Sequence, residues 1–125
     1  YNFKVNIDSE IINLLNTAFR ELREGKSQEQ QRFKEISSVM STSEQISVLF
    51  DSCLYAYYFN KGKLNASHLA MNICDTIIKD DPENIPALHE YLNLVVKPRS
   101  EKNLTWKSFH DEFKQRLKLK QTAKE

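Results

Sequence analysis

Apolar residues recur along most of the chain at helical spacing. Ile11, Ile12, Leu15, Ala18, Phe19 and Leu22 share one stripe, the pattern of a helix buried on one face. That helix is expected to start near Asp8 or Ser9 and to stop at Gly25, a residue suited to the left-handed conformation found just past a helix end. Ser27 with Gln30 then reads as a capping box opening a polar second helix, whose apolar residues are Phe33, Ile36, Val39 and Met40. Ser41 with Glu44, overlapping Thr42 with Gln45, opens a third helix that runs to about Asn60. Its expected inward face is Ile46, Leu49, Phe50, Cys53, Leu54 and Tyr57.

The next break is Asn60-Lys61-Gly62-Lys63. Asn65 comes next as an N-cap, with Leu64 and Leu69 at staple spacing. A fourth helix buries Leu69, Ala70, Ile73, Cys74 and Ile77. Asp81 before Pro82 marks a further start, because proline at the first helical position gives up an N–H that would have no partner there. The fifth helix carries Ile85, Leu88, Tyr91, Leu92 and Val95 and is expected to end at Lys97-Pro98, since the residue before proline disfavours helical geometry. A polar loop, Arg99 to Asn103, leads to a last helix capped by Thr105, with Trp106, Phe109, Phe113 and Leu117 inward. At the other end, Tyr1, Phe3, Val5 and Ile7 alternate with polar residues. A period of two implies an extended arm, laid across helices or added to another chain's sheet.

The expected fold is therefore all-α: about six antiparallel helices in a single bundle or short superhelical layer, with an N-terminal arm over 1–7. One domain spans 1–120, and 121–125 form a frayed basic tail. Composition agrees. Two glycines and three prolines in 125 residues do not suit a turn-dense β-sandwich. A chain that begins at Tyr1 reads as part of something longer. No stretch reaches the roughly 20 apolar residues of a membrane span, and an intracellular setting, cytoplasmic or nuclear, is expected. Cys53 and Cys74 lie among apolar residues. They read as small buried hydrophobes, or as a disulfide if they face each other across a helix pair.

The segment Asp51 to Asn84 resembles a single tetratricopeptide helix pair. Leu54, Ala70 and Pro82 fall at matching places, and Asp81 to Leu88 is similar to the junction between two such repeats. Tyr58, Lys61, Cys74 and Ile77 depart from the pattern. The resemblance implies a helical adaptor that binds peptides or proteins and performs no catalysis.

Residues of a catalytic type are scattered. His68, His89 and His110 fall on three different helices, none with a second ligand one turn away. His68, near a helix start, reads as a neutral surface residue, and His110 with Asp111 and Glu112 as a solvated face. With glycine only at 25 and 62, no phosphate-cradling loop can form. Asp80, Asp81 and Glu83 suit the positive end of a helix dipole. No cofactor, metal or small-molecule substrate is expected, and no enzyme activity.

The formal charge of +1 conceals an asymmetry. Residues 97–125 hold nine basic and four acidic groups, net +5, and residues 1–96 are net −4. On the last helix Lys114, Arg116, Lys118 and Lys120 cluster within two turns. They suit a solvated helix C-terminus, an acidic protein partner or a nucleic-acid backbone. Tyr55 and Phe59, four residues apart, share a second flank, either packed on another helix layer or exposed as an aromatic anchor. The function expected is non-catalytic protein–protein interaction, as an adaptor or assembly domain of a larger intracellular protein. The candidate contacts are Tyr55, Phe59, Lys114, Arg116, Lys118 and Lys120. The alternative is RNA or DNA binding by the basic C-terminal helix, joined by Arg99 and Lys102.

Overall fold

The computed structural model describes residues 7–37 and 40–123, with side chains through Leu119. The expected arm over 1–7, apart from Ile7, lies outside the described residues, as do Val39 and the last two residues. Five helices account for the architecture, and no strand forms among the described residues. Helix α1 is Ser9–Glu24, α2 is Thr42–Phe59 and α3 is Ala66–Asp80. Helix α4 is a composite over 82–100, and α5 is Leu104–Ala123.

Several ends form as their residues require. The Asp8 side chain accepts from Glu10 N at 3.0 Å, and Gly25 closes α1 with φ 75°. Ser41 Oγ accepts from Glu44 N at 3.2 Å and donates to the Glu44 carboxylate at 3.1 Å, so the first of the two overlapping boxes is the one used. Asp81 caps the Pro82 turn through Glu83 N at 3.0 Å. The last helix differs from expectation. Asn103 Oδ1 caps it, accepting from Thr105 N and Trp106 N, while the Thr105 hydroxyl donates to Glu10 at 2.8 Å.

The second helix expected from Ser27 does not form. Over its described residues the segment between α1 and α2 is an irregular strap, with Lys26 bridged to Arg32 and Gln30 at φ 69°. Ser27 Oγ caps the turn at Gln31 N, 3.0 Å away. Glu21 draws in Gln28 N at 2.8 Å. Phe33 and Met40 are buried as anchors. So few apolar residues could not line a helical face, and these polar contacts satisfy the backbone without one.

Helix α4 does not stop at Lys97-Pro98. It begins as a 3₁₀ turn (Pro82–Asn84), continues as α-helix (Ile85–Tyr91), widens into a π turn (Leu92–Val96) and ends as one α-turn (Lys97–Ser100). In the π turn the Lys97 N–H donates to Leu92 O, five residues back. This register shift loosens the helix just where the Pro98 ring would crowd the preceding turn. Buried Val95 and Val96 hold Lys97 in helical geometry against its local preference.

Helix α3 is central. It packs against α2 on one side and α5 on the other. Leu69, Ala70, Ile73 and Cys74 are fully buried, as are Phe109, Phe113 and Leu117 of α5. Each large apolar side chain in this cluster contributes about 1.5–3 kcal/mol by burial. Tyr91 joins the halves, its ring 5.0 Å from Phe33 and 6.1 Å from Phe113. Cys53 and Cys74 are both buried, and neither is in a disulfide.

Candidate functional site

Helix α2 is turned differently from its apolar pattern. Its buried residues are Val48, Ser52, Cys53 and Ala56, whereas Ile46 is 62% exposed and Phe50 50%, with Tyr57 also exposed. The expected inward face is therefore wrong by roughly a quarter turn at 100° per residue. Of that face, Cys53 is buried and Leu49 packs against the core from its edge. The reason lies in α3. Small Ser52 and Ala56 admit its close approach, and the Ser52 hydroxyl bonds Val48 O at 2.7 Å while accepting from Asn72 at 3.0 Å. A polar contact and two small residues set the rotation, and the bulkiest side chains are left facing outward.

Tyr55 and Phe59 do share a flank, with rings 4.9 Å apart. The flank is open, since Phe59 is 74% exposed. Tyr55 also leans on His68 at 5.1 Å. His68 is buried, not on the surface, because its Nδ1 accepts from Asn65 N at 3.1 Å. Burial lowers its pKa, which keeps Nδ1 free to accept. Tyr57 and Tyr58 meet edge to face at 5.1 Å, and Tyr58 is 70% exposed. These two aromatic pairs, with Ile46 and Phe50, leave much of the outward side of α2 apolar.

The second candidate surface is α5. Its outward face carries Lys107, Asp111, Lys114 and Lys118, with exposed Leu104 and Leu119 at the two ends. Arg116 does not belong to it, being paired with Glu112 at 3.6 Å and half-buried. Lys120 has its side chain outside the described residues. Two shallow grooves run along this face. One, of about 620 Å3, includes Lys97, Lys102, Lys107 and Leu104. The other, of about 480 Å3, includes Lys114 and Lys118. They meet at Asp111.

Arg99, expected in a polar loop and offered for nucleic acid, is held inside the protein. Its guanidinium clasps the Glu21 carboxylate in bidentate fashion, reaches Glu29 at 2.8 Å and lies 4.7 Å from the Trp106 ring centre. Burial alone would lower the Arg99 pKa, but the bonds to Glu21 and Glu29 outweigh it and hold the charge. Glu29 is lowered in turn by its bond to Arg99. Tyr91 Oη donates to Glu21 at 2.9 Å, and its pKa is raised first by burial and then by that carboxylate. The spacing of Leu14, Ala18 and Glu21 could have revealed this cluster. A carboxylate at the third position of a buried i, i+4, i+7 stripe requires a buried partner.

Among the described residues no group of His, Cys, Asp and Glu is placed to hold a metal ion, and no helix is long and apolar enough to cross a membrane. The site thus offers two exposed helix faces, one apolar on α2 and one basic on α5, both on helices that pack against α3. A family model for the C-terminal domain of YehL-like AAA+ ATPases matches residues 2–118. The chain belongs to that family. No curated protein and no solved structure matches it. The membership corrects the tetratricopeptide resemblance. Helices α2 and α3 do pack as a pair, but α4 and α5 do not repeat it. Helix α4 is broken by a π turn, and it is α5 that packs on the free side of α3. Asp81 and Pro82 are good helix-start chemistry, which any helical hairpin can use.

Proposed function

We propose that this C-terminal domain is a non-catalytic protein-interaction module of an AAA+ ATPase, and that the outward face of α2 is its principal contact. The observation that carries this reading is the rotation of α2, which presents Ile46, Phe50, Tyr58 and Phe59 to solvent. Contiguous exposed aromatics are characteristic of protein interfaces. Nucleotide hydrolysis would belong to the ATPase portion of such a protein, because this chain has no Gly-rich phosphate loop. Two buried cysteines outside any disulfide suit a reducing, intracellular setting. Nucleic acid is less well served. Arg99 and Arg116, the residue type best suited to grip phosphate, are both paired with carboxylates.

The test is a photo-crosslinking amino acid at Tyr58 of the full ATPase, with the same group at exposed Glu24 on α1 as control. Protein adducts are expected from position 58 above the level at position 24. Equal or absent adducts at 58 would remove α2 as the contact.

A further inference from the structure

Along the outside of α5, Leu104, Lys107, Asp111, Lys114 and Lys118 follow one another at alternating steps of three and four residues. That spacing is the seam along which a second helix stays in register. All five are exposed, because the opposite stripe, Phe109, Phe113 and Leu117, is the one buried in the core. The two grooves that meet at Asp111 make one track. From Leu104 to Leu119 it runs about 22 Å, at 1.5 Å per residue.

Charge identifies the occupant. Lys97 and Lys102 join Lys107 in the first groove, and Lys114 and Lys118 line the second, against the acids Glu101 and Asp111. Among the described residues, Lys97, Lys102, Lys107 and Lys114 form no ion pair. Leu104 at 84% and Leu119 at 53% exposed add an apolar foothold at each end. A phosphate backbone would use neither leucine and would meet Asp111 midway. It would also find no exposed aromatic among the described residues of α5 on which to stack a base. An acidic helix uses every one of these features.

We propose that this track receives an acidic amphipathic helix of a different protein, about 15 residues long. Its carboxylates lie over the lysines, and an apolar residue lies over each leucine. A single lysine or arginine at its middle answers Asp111. The contact is a second one, on a different helix from the α2 face, and does not depend on it.

The probe is a fluorescein-labelled synthetic helix of about 15 residues, with glutamates at the same spacing and a leucine at each end. Its anisotropy is followed against the full ATPase. Binding is expected at low ionic strength, weakened about tenfold or more between roughly 0.05 and 0.5 M salt. Lys107→Glu/Lys114→Glu should weaken it at least about tenfold. Lys61→Glu/Lys63→Glu makes the same charge change at two exposed residues before α3, and should weaken it less than about twofold. Leu104→Ser/Leu119→Ser should weaken it about threefold or more with the salt dependence unchanged. A probe with lysines in place of the glutamates should prefer Lys107→Glu/Lys114→Glu to wild type, a gain that a misfolded variant cannot give. No binding at low salt overturns the proposal, as does an equal loss in the two charge variants. A scrambled probe of the same composition that binds as tightly also overturns it. So does a labelled random oligonucleotide that binds through Lys107 and Lys114 more tightly than the probe, a result that assigns α5 to nucleic acid.

Discussion

Replacing Arg99 with Met isolates a buried charge. Glu21 is 1% exposed and accepts four hydrogen bonds: two from Arg99, one from Tyr91 Oη at 2.9 Å and one from Gln28 N at 2.8 Å. The substitution leaves the carboxylate buried with the last two and with no cation. Breaking one side of a buried pair costs about 3–5 kcal/mol. The lower end applies, because the Arg99 side chain is 14% exposed and water can partly enter. The lost bonds to Glu29, itself 62% exposed, add no more than about 1 kcal/mol. A chain of this length is stable by on the order of 10 kcal/mol. Urea denaturation followed by circular dichroism should therefore show a loss of about a third, with a fall in Tm of about 10 °C. The sign of the second step is more informative. Adding Glu21→Gln removes the stranded charge while keeping an acceptor for Tyr91. The double variant should recover about 1–2 kcal/mol relative to Arg99→Met alone. If Arg99→Met/Glu21→Gln is no more stable than Arg99→Met, the cluster is not an uncompensated-charge problem and the reasoning fails.

Four further substitutions and one titration probe the helix caps and the buried histidine. Asn103→Ala should cost about 1 kcal/mol by removing the α5 cap, and Thr105→Ala less, since that hydroxyl meets the exposed Glu10; a reversed order in urea melts would return the cap to Thr105. Gly25→Ala should cost about 1–2 kcal/mol from the left-handed backbone at φ 75°, and a neutral result would refute the C-cap assignment. His68 is held below its ordinary value of 6.5 by burial, so the unfolded chain takes up a proton at higher pH than the folded one. Stability is then fully present above pH 6.5 and declines as pH falls from there toward the folded value. An NMR titration midpoint for His68 at or above 6.5 would contradict this, and His68→Gln should flatten the decline.

Where local chemistry decides, the sequence is a reliable guide. Asp8, Gly25, Ser41 and Asp81 act as their types require, and Leu15, Ala18, Phe19 and Leu22 of α1, Leu69, Ala70, Ile73, Cys74 and Ile77 of α3, and Phe109, Phe113 and Leu117 of α5 can be read as inward from spacing alone. Errors arise where a distant group overrides a local rule. Pro98 should end α4, but the π turn before it and the Arg99–Glu21 pair beyond it hold the chain in helix. Ser27 and Gln30 have the letters of a capping box. The backbone there instead turns back on itself, tied to Glu21 seven residues before Gln28. In both places the deciding partner is Glu21, whose burial is visible in the heptad spacing but whose cation is 78 residues away.

The misreading of α2 has a different origin and bears directly on the site. Apolar residues surround most of this helix, so spacing does not single out one buried face, and choosing the bulkiest stripe as inward is the natural rule. That rule assumes the largest apolar area is buried within the chain itself. Here the inward stripe is instead the one whose small residues let α3 approach and whose hydroxyl finds partners in Val48 and Asn72. A helix with apolar residues all round is buried all round when its surroundings are complete. With α3 against one side and Ile46, Tyr58 and Phe59 exposed to solvent, α2 is a largely apolar helix covered on only part of its circumference. The disagreement between pattern and structure is thus the same observation on which the proposal of α2 as an interface rests. It also explains why Tyr55 and Phe59, read from sequence as a flank either packed or exposed, lie together with Phe59 in solvent.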